Sequence, residues 1–147
     1  MIEPKWSPDG GKHIVARWNN KARIFNVGEI IELQQEFTHK TKEPGIFPNE
    51  SVWDIAFSPN GNYLAIGFGK KEIQIWNYST KRRLKIVKGS AFSSKDNCCI
   101  ATAFSPDSSY FAVRCDDSCL IYNTADQSLF TKFNLEKRLI SVNFSPC

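Results

Sequence analysis

One recurring phrase constrains this chain more than any other feature. An aromatic residue followed by Ser-Pro opens each copy: Trp6-Ser7-Pro8-Asp9, Phe57-Ser58-Pro59-Asn60, Phe104-Ser105-Pro106-Asp107 and Phe144-Ser145-Pro146-Cys147. Behind the first three lies a second phrase, Ile24-Phe25-Asn26, Ile75-Trp76-Asn77 and Ile121-Tyr122-Asn123. The aromatics of the two phrases are 19, 19 and 18 residues apart, so the copies share one internal ruler. Repeats of this size are small units that cannot bury their apolar faces alone and must stack. Trp6, Phe25, Phe57, Trp76, Phe104, Tyr122 and Phe144 are therefore the structural repeat positions.

The second copy reads most clearly as strands. Ser51 to Phe57 is rich in β-formers and ends at Ser58-Pro59-Asn60-Gly61-Asn62, where Pro sets one turn dihedral and Asn-Gly tolerates positive φ. Tyr63 to Gly67 follows, then a turn over Phe68-Gly69-Lys70-Lys71, and Glu72 to Trp76 alternates polar with apolar as a half-buried strand does. Leu84 to Lys88 supplies a fourth strand. Four short antiparallel strands in such a span make one propeller blade. In every copy the positions two and five before the opening aromatic match, a spacing that breaks alternation and predicts a bulge in the first strand. The other copies follow the same template, with hairpin turns at Trp18-Asn19-Asn20 and at Cys115-Asp116-Asp117-Ser118. The fold class is all-β: an incomplete β-propeller of four-stranded antiparallel blades. Its blades span residues 1–37, 51–88 and 98–133, and residues 138–147 start a fourth.

Composition agrees. Hydrophobic content of 41% and charged content of 23% exclude a disordered chain, and eleven Phe against one Met favour strands. A net charge of +4 falls short of the dense basic stripe of a nucleic-acid binder. No apolar run reaches the roughly 20 residues of a membrane span, and Met1 to Trp6 lacks the apolar stretch of a secretory signal. Five cysteines at irregular spacing do not form a disulfide framework. The expected location is intracellular, cytoplasmic or nuclear.

These residues resemble the WD-repeat β-propeller family. The likeness rests on Phe57-Ser58-Pro59-Asn60-Gly61, Leu64-Ala65-Ile66-Gly67 and Ile73-Gln74-Ile75-Trp76-Asn77, and it extends over the whole chain. The Trp-Asp ending of that family stands here as Phe25-Asn26, Trp76-Asn77 and Tyr122-Asn123, and no Gly-His precedes the first strands. In the second copy Lys70 falls near the place of the turn aspartate and Ile66 where Ser or Thr is common. The family's buried Asp-His-Ser-Trp network therefore cannot form there, and these blades are expected to rely on apolar packing. Three blades are fewer than the four to eight of closed propellers. The chain is thus expected to need further blades, or self-association, to cover its edges.

Resemblance implies a non-catalytic protein–protein interaction scaffold, here a fragment of a larger propeller. The alternatives are an RNA- or translation-associated propeller of the initiation-factor type, suggested by residues 111–122, and a propeller appended to a hydrolase. No nucleophile elbow, Walker loop or His-Glu-x-x-His is present, so no catalytic residue, metal ligand or cofactor is assigned. Cys98, Cys99, Cys115 and Cys119 lack the spacing of zinc knuckles. A two-residue turn puts Cys115 and Cys119 on opposite faces, whereas a three-residue loop makes them neighbours. For partner binding the loop positions Phe47, Glu50, Lys70, Lys71 and Phe92 are the candidates, since WD-repeat proteins use such loops and aromatics concentrate at hot spots. Lys81, Arg82, Arg83 and Lys85 form a basic patch. It is read first as a solvated connection between the third and fourth strands, and otherwise as a site for an acidic partner, a phospholipid head group or RNA.

Overall fold

Each copy of the phrase folds into one four-stranded antiparallel sheet. The computed structural model describes residues 4–11, 13–18, 21–38, 52–68, 72–88, 99–115, 118–134 and 142–145. The first sheet takes β1 (Lys5–Trp6), β2 (His13–Trp18), β3 (Lys21–Val27) and β4 (Ile31–Thr38) in that order. β5 (Val52–Phe57), β6 (Tyr63–Phe68), β7 (Glu72–Asn77) and β8 (Arg82–Lys88) make the second. β9 (Cys99–Phe104), β10 (Tyr110–Cys115), β11 (Ser118–Asn123) and β12 (Leu129–Asn134) make the third. Strand order equals chain order in all three, as a β-meander demands, and the described residues contain no helix. Residues 142–145 make no strand pairing among the described residues.

Alternation decides which face of each sheet meets which neighbour. Leu64, Ile66 and Phe68 of β6 pack with Ala22, Ile24 and Phe37 of the first sheet. Ala65, Ile73, Ile75 and Val87, from the other face of the second sheet, pack with Phe111, Val113, Leu120 and Tyr122 of the third. The second sheet is therefore buried on both sides, which explains the near-continuous apolar run of β6. Full burial of each such side chain is worth roughly 1.5–3 kcal/mol.

The expected first-strand bulge is present in two copies. Register shifts between Val52 and Asp54 in β5 and opposite Arg114 and Cys115 in β9 leave Trp53 and Ile100 as the extra residues. A second bulge recurs in the fourth strand of every sheet, leaving Gln34, Leu84 and Phe130 unpaired. Its sequence carries no signal, because these outer strands are exposed and their composition is loosely constrained. Strand β2 runs through Trp18, which pairs with Lys21, so only residues 19 and 20 lie between β2 and β3. Phe68 likewise belongs to β6, paired with Glu72, rather than to the turn. β8 begins at Arg82, two residues ahead of the expected start.

One expectation is corrected. The second sheet does not rely on apolar packing alone. Trp76 Nε1 donates to Gln74 Oε1 at 3.1 Å, and Gln74 Nε2 donates to Glu72 Oε1 at 2.8 Å. The three residues sit at alternate positions on one face of β7, so a polar chain runs along a single strand. Gln74 is 1% exposed, a burial that a polar amide tolerates only with its hydrogen bonds made.

Candidate partner-binding surfaces

The Ser-Pro turns share one hydrogen-bond pattern. The backbone N–H groups of Ser7, Ser58 and Ser105 donate to the carbonyls of His13, Tyr63 and Tyr110 at 2.9, 3.0 and 2.9 Å. The serine hydroxyls accept from the backbone N–H groups of the same three residues at 3.0, 2.9 and 2.9 Å. Each hydroxyl also donates onward, to Asp9 Oδ1, to Asn60 Oδ1 at 2.7 Å and to Asp107 Oδ1 at 2.6 Å. Serine recurs because its one oxygen both accepts and donates inside the turn, and the acid or amide two residues on receives that proton. Backbone reversal needs a left-handed residue, supplied by Gly61 (φ 74°) and, without glycine, by Ser108 (φ 62°). The first turn is one residue longer and uses two, Gly10 and Gly11. Adjacent turns touch: Asn60 N donates to Ser108 Oγ at 3.0 Å.

Asp107 is held down to about 2 by the Ser105 hydroxyl and by Ser109. Lys21 and Arg23 lower Glu36 by hydrogen bonds, at 2.5 and 2.8 Å. Asp54 is raised by burial, against the hydrogen bonds it accepts from Thr102 N (2.5 Å) and Thr102 Oγ1 (3.2 Å). That last contact ties β5 to β9 across the second and third sheets. Around it the first strands line a cleft of about 460 Å³, with Lys5, Trp6, Asp54, Thr102, Val142 and Asn143 on its wall.

The basic run is mostly spoken for within the fold. Lys81 takes a left-handed conformation (φ 56°) that lays Nζ 3.6 Å from the ring centre of Tyr78, and burial lowers its pKa. Arg83 lies 5.9 Å from the Trp76 ring, its cross-strand neighbour. Lys85 reaches to the third sheet, donating to the Gln127 carbonyl with Nζ 5.2 Å from the Tyr122 ring. Arg82 alone of the four makes no ion pair or ring contact among the described residues. Three members of the patch thus brace aromatic rings, while Lys81, Arg82 and Arg83 stay exposed. Their signal was present in the sequence, since Trp76, Tyr78 and Tyr122 stand where cross-strand or next-sheet cations can cover them.

Phe47, Glu50, Lys70, Lys71 and Phe92 lie outside the described residues. Among the repeat aromatics Phe104 and Tyr122 are buried, Phe25, Phe57, Trp76 and Phe144 are half-buried, and Trp6 is 56% exposed. Trp76 packs at the margin of its core, edge-on to Phe37 at 4.8 Å. Cys115 pairs with Ser118 and Cys119 with Arg114, so only residues 116 and 117 separate β10 from β11. His13 has Nδ1 3.3 Å from Asp9 Oδ2, outside hydrogen-bond geometry, and its ring meets Tyr78 edge-on at 5.7 Å. Burial and the Asp9 charge push Tyr78 up to about 12.

Sequence reasoning did not single out the exposed apolar residues of the outer strands. On β12 Leu129, Phe130 and Phe133 are 51, 60 and 45% exposed, an apolar set on the outermost edge of its sheet. Ile31 and Leu33 on β4 and Leu84 on β8 are exposed as well.

Comparison with known proteins places this geometry. The family model described as "WD domain, G-beta repeat" matches residues 41–77. Periodic tryptophan protein 2 of Arabidopsis thaliana is 29% identical over 109 residues, which cover 73% of this chain but 11% of that protein. A solved structure titled "Structure of U3-55K" superposes with a TM-score of 0.77 at 21% identity, over 97% of this chain and 42% of that one, so it shares the fold. The chain thus spans a small part of the curated relative and under half of the solved one. Three registered copies of the repeat, three stacked four-stranded sheets and these matches together support a partial WD-repeat family member.

Proposed function

We propose that this chain is a non-catalytic platform for protein partners inside the cell, working as part of a larger WD-repeat propeller. One observation carries the reading. The third sheet buries one face against the second while its outer strand exposes Leu129, Phe130 and Phe133, the first and last on opposite faces. Large apolar side chains exposed along one outer strand fit a docking surface better than a solvated one. The basic run supports it from the other side, because three of its four members are engaged with aromatic rings of the fold.

Leu129→Ala with Phe130→Ala tests the reading. The double variant should keep the wild-type melting profile and lose the proteins that co-purify with the wild-type chain from its own cells. Unchanged co-purification would refute it. For the RNA-associated alternative the only unengaged cation of the run is Arg82, so Arg82→Ala should reduce the salt dependence of RNA binding if that reading holds. A salt-independent interaction, indifferent to Arg82, leaves the protein platform standing.

A further inference from the structure

Two neighbouring outer strands throw an apolar residue out of the ladder at the same repeat position. Leu84 of β8 and Phe130 of β12 are the bulged residues, 38 and 60% exposed, and Leu129 beside Phe130 is 51% exposed. Lys85 links the two strands there. Its Nζ donates to the Gln127 carbonyl and lies 5.2 Å from the ring of Tyr122, the cross-strand partner of Leu129. Leu84, Lys85, Leu129 and Phe130 therefore share one stretch of rim across the second and third sheets. Phe133 stands apart from it. Its counterparts Phe37 and Val87 are 2 and 3% exposed beneath a neighbouring sheet, whereas Leu84 stays exposed although its own sheet is flanked on both sides. Exposure of the bulge position thus persists with both neighbours in place.

Cations border these apolar residues. Arg82 and Arg83 precede Leu84, both exposed, and neither makes an ion pair among the described residues. Arg83 is steadied 5.9 Å from the Trp76 ring, which lowers the ordering cost of meeting an acid. Asp126, the acid of the adjoining turn, already accepts from Ser128. The occupant must therefore bring apolar side chains together with carboxylates. Strand addition fits poorly, because the bulges interrupt the ladder of both outer strands. A helix needs no backbone partner, and residues seven apart on one of its faces stand about 10 Å apart, the spacing of stacked sheets. We propose that this rim docks an acidic amphipathic helix of a partner protein, its apolar face on Leu84 and Phe130 and its Asp or Glu residues on Arg82 and Arg83. Such an occupant depends on the platform reading above and specifies the chemistry of its partner. Leu84 and Leu129 offer nothing to a phosphate backbone, which sets a polypeptide above RNA.

The test uses the whole chain and a synthetic helical peptide with Leu at i, i+3 and i+7 bordered by Glu, compared with a twin carrying Gln at every Glu. In calorimetry wild type should bind the Glu peptide about tenfold more tightly than the twin at low salt, and the gap should close as salt rises. Leu84→Ser should weaken the Glu peptide about fivefold or more at an unchanged thermal midpoint. Arg82→Glu should remove the preference for Glu over Gln. Equal affinities in the wild type, binding indifferent to Leu84→Ser, or no binding of either peptide overturns the proposal. So does a concentration-dependent dimer that Leu84→Ser dissolves, because the occupant is then a second copy. A single-stranded RNA bound more tightly than the peptide, and indifferent to Leu84→Ser, overturns it as well. If the Leu129→Ala with Phe130→Ala variant loses its co-purifying proteins while Leu84→Ser keeps them, the platform reading stands and the two-strand rim fails.

Discussion

A single hydroxyl does the same task three times in this molecule. Ser58 is fully buried, its oxygen receiving the Tyr63 N–H and passing its own proton to Asn60. Ser58→Ala leaves that N–H without an acceptor and should cost about 1–3 kcal/mol in chemical denaturation, the penalty of an unsatisfied buried donor. The acid two residues on supplies charge as well as an acceptor. Asp107 sits at about 2 when folded, below its ordinary 3.8, so the stability it contributes is present above about pH 4 and lost as pH falls through about 2. Asp54 has the opposite sign: its raised value means that acid relieves a desolvation cost. Asp107→Asn should therefore flatten the acid limb of a pH-dependent melt between those values while preserving the turn. Asn60, in the equivalent turn, already accepts the Ser58 hydroxyl and the Asn62 N–H without any charge. An acid limb identical to the wild type would place the linkage elsewhere.

Strand patterning was legible where a strand is buried and faint where it is not. β6 and β7 announce themselves through apolar runs and alternation because both faces of the second sheet are packed. The first-strand bulges were legible too, since a spacing of three then two cannot fit a regular pleat. The fourth-strand bulges and the start of β8 were not, because exposed side chains obey no period. Nor could sequence alone show that Gln74 replaces a lost network, as its partners lie at alternate positions rather than in any known motif. Trp76→Phe removes the donor to Gln74 and should destabilise by about 1–3 kcal/mol, more than the modest change of ring size alone. If melts of Trp76→Phe and wild type superpose, the polar chain along β7 carries no stability. The basic run divides at the same scale. Lys85→Met loses the link to Gln127 and Tyr122 and should cost about 0.5–1 kcal/mol, as a partly exposed cation–π contact does, whereas Arg82→Ala should be near neutral.

Across the whole molecule the sheets differ in how well they are flanked. Native-state hydrogen exchange should find the slowest amides in β6 and β7, which have a neighbouring sheet on each side, and faster exchange in β12, whose residues are all exposed. Uniform protection across the three sheets would show that they open only as one unit. The candidate surfaces were the least legible part of the sequence. Loop positions were chosen by family resemblance, while the apolar edge of β12 emerges only once register assigns each residue a face. The fourth-strand bulges then shape what can dock. With Phe130 thrown out of the ladder, β12 cannot offer an incoming chain an unbroken row of amides and carbonyls. Visitors to this edge must grip side chains, and templated growth into fibrils finds its zipper interrupted at the same tooth in all three sheets.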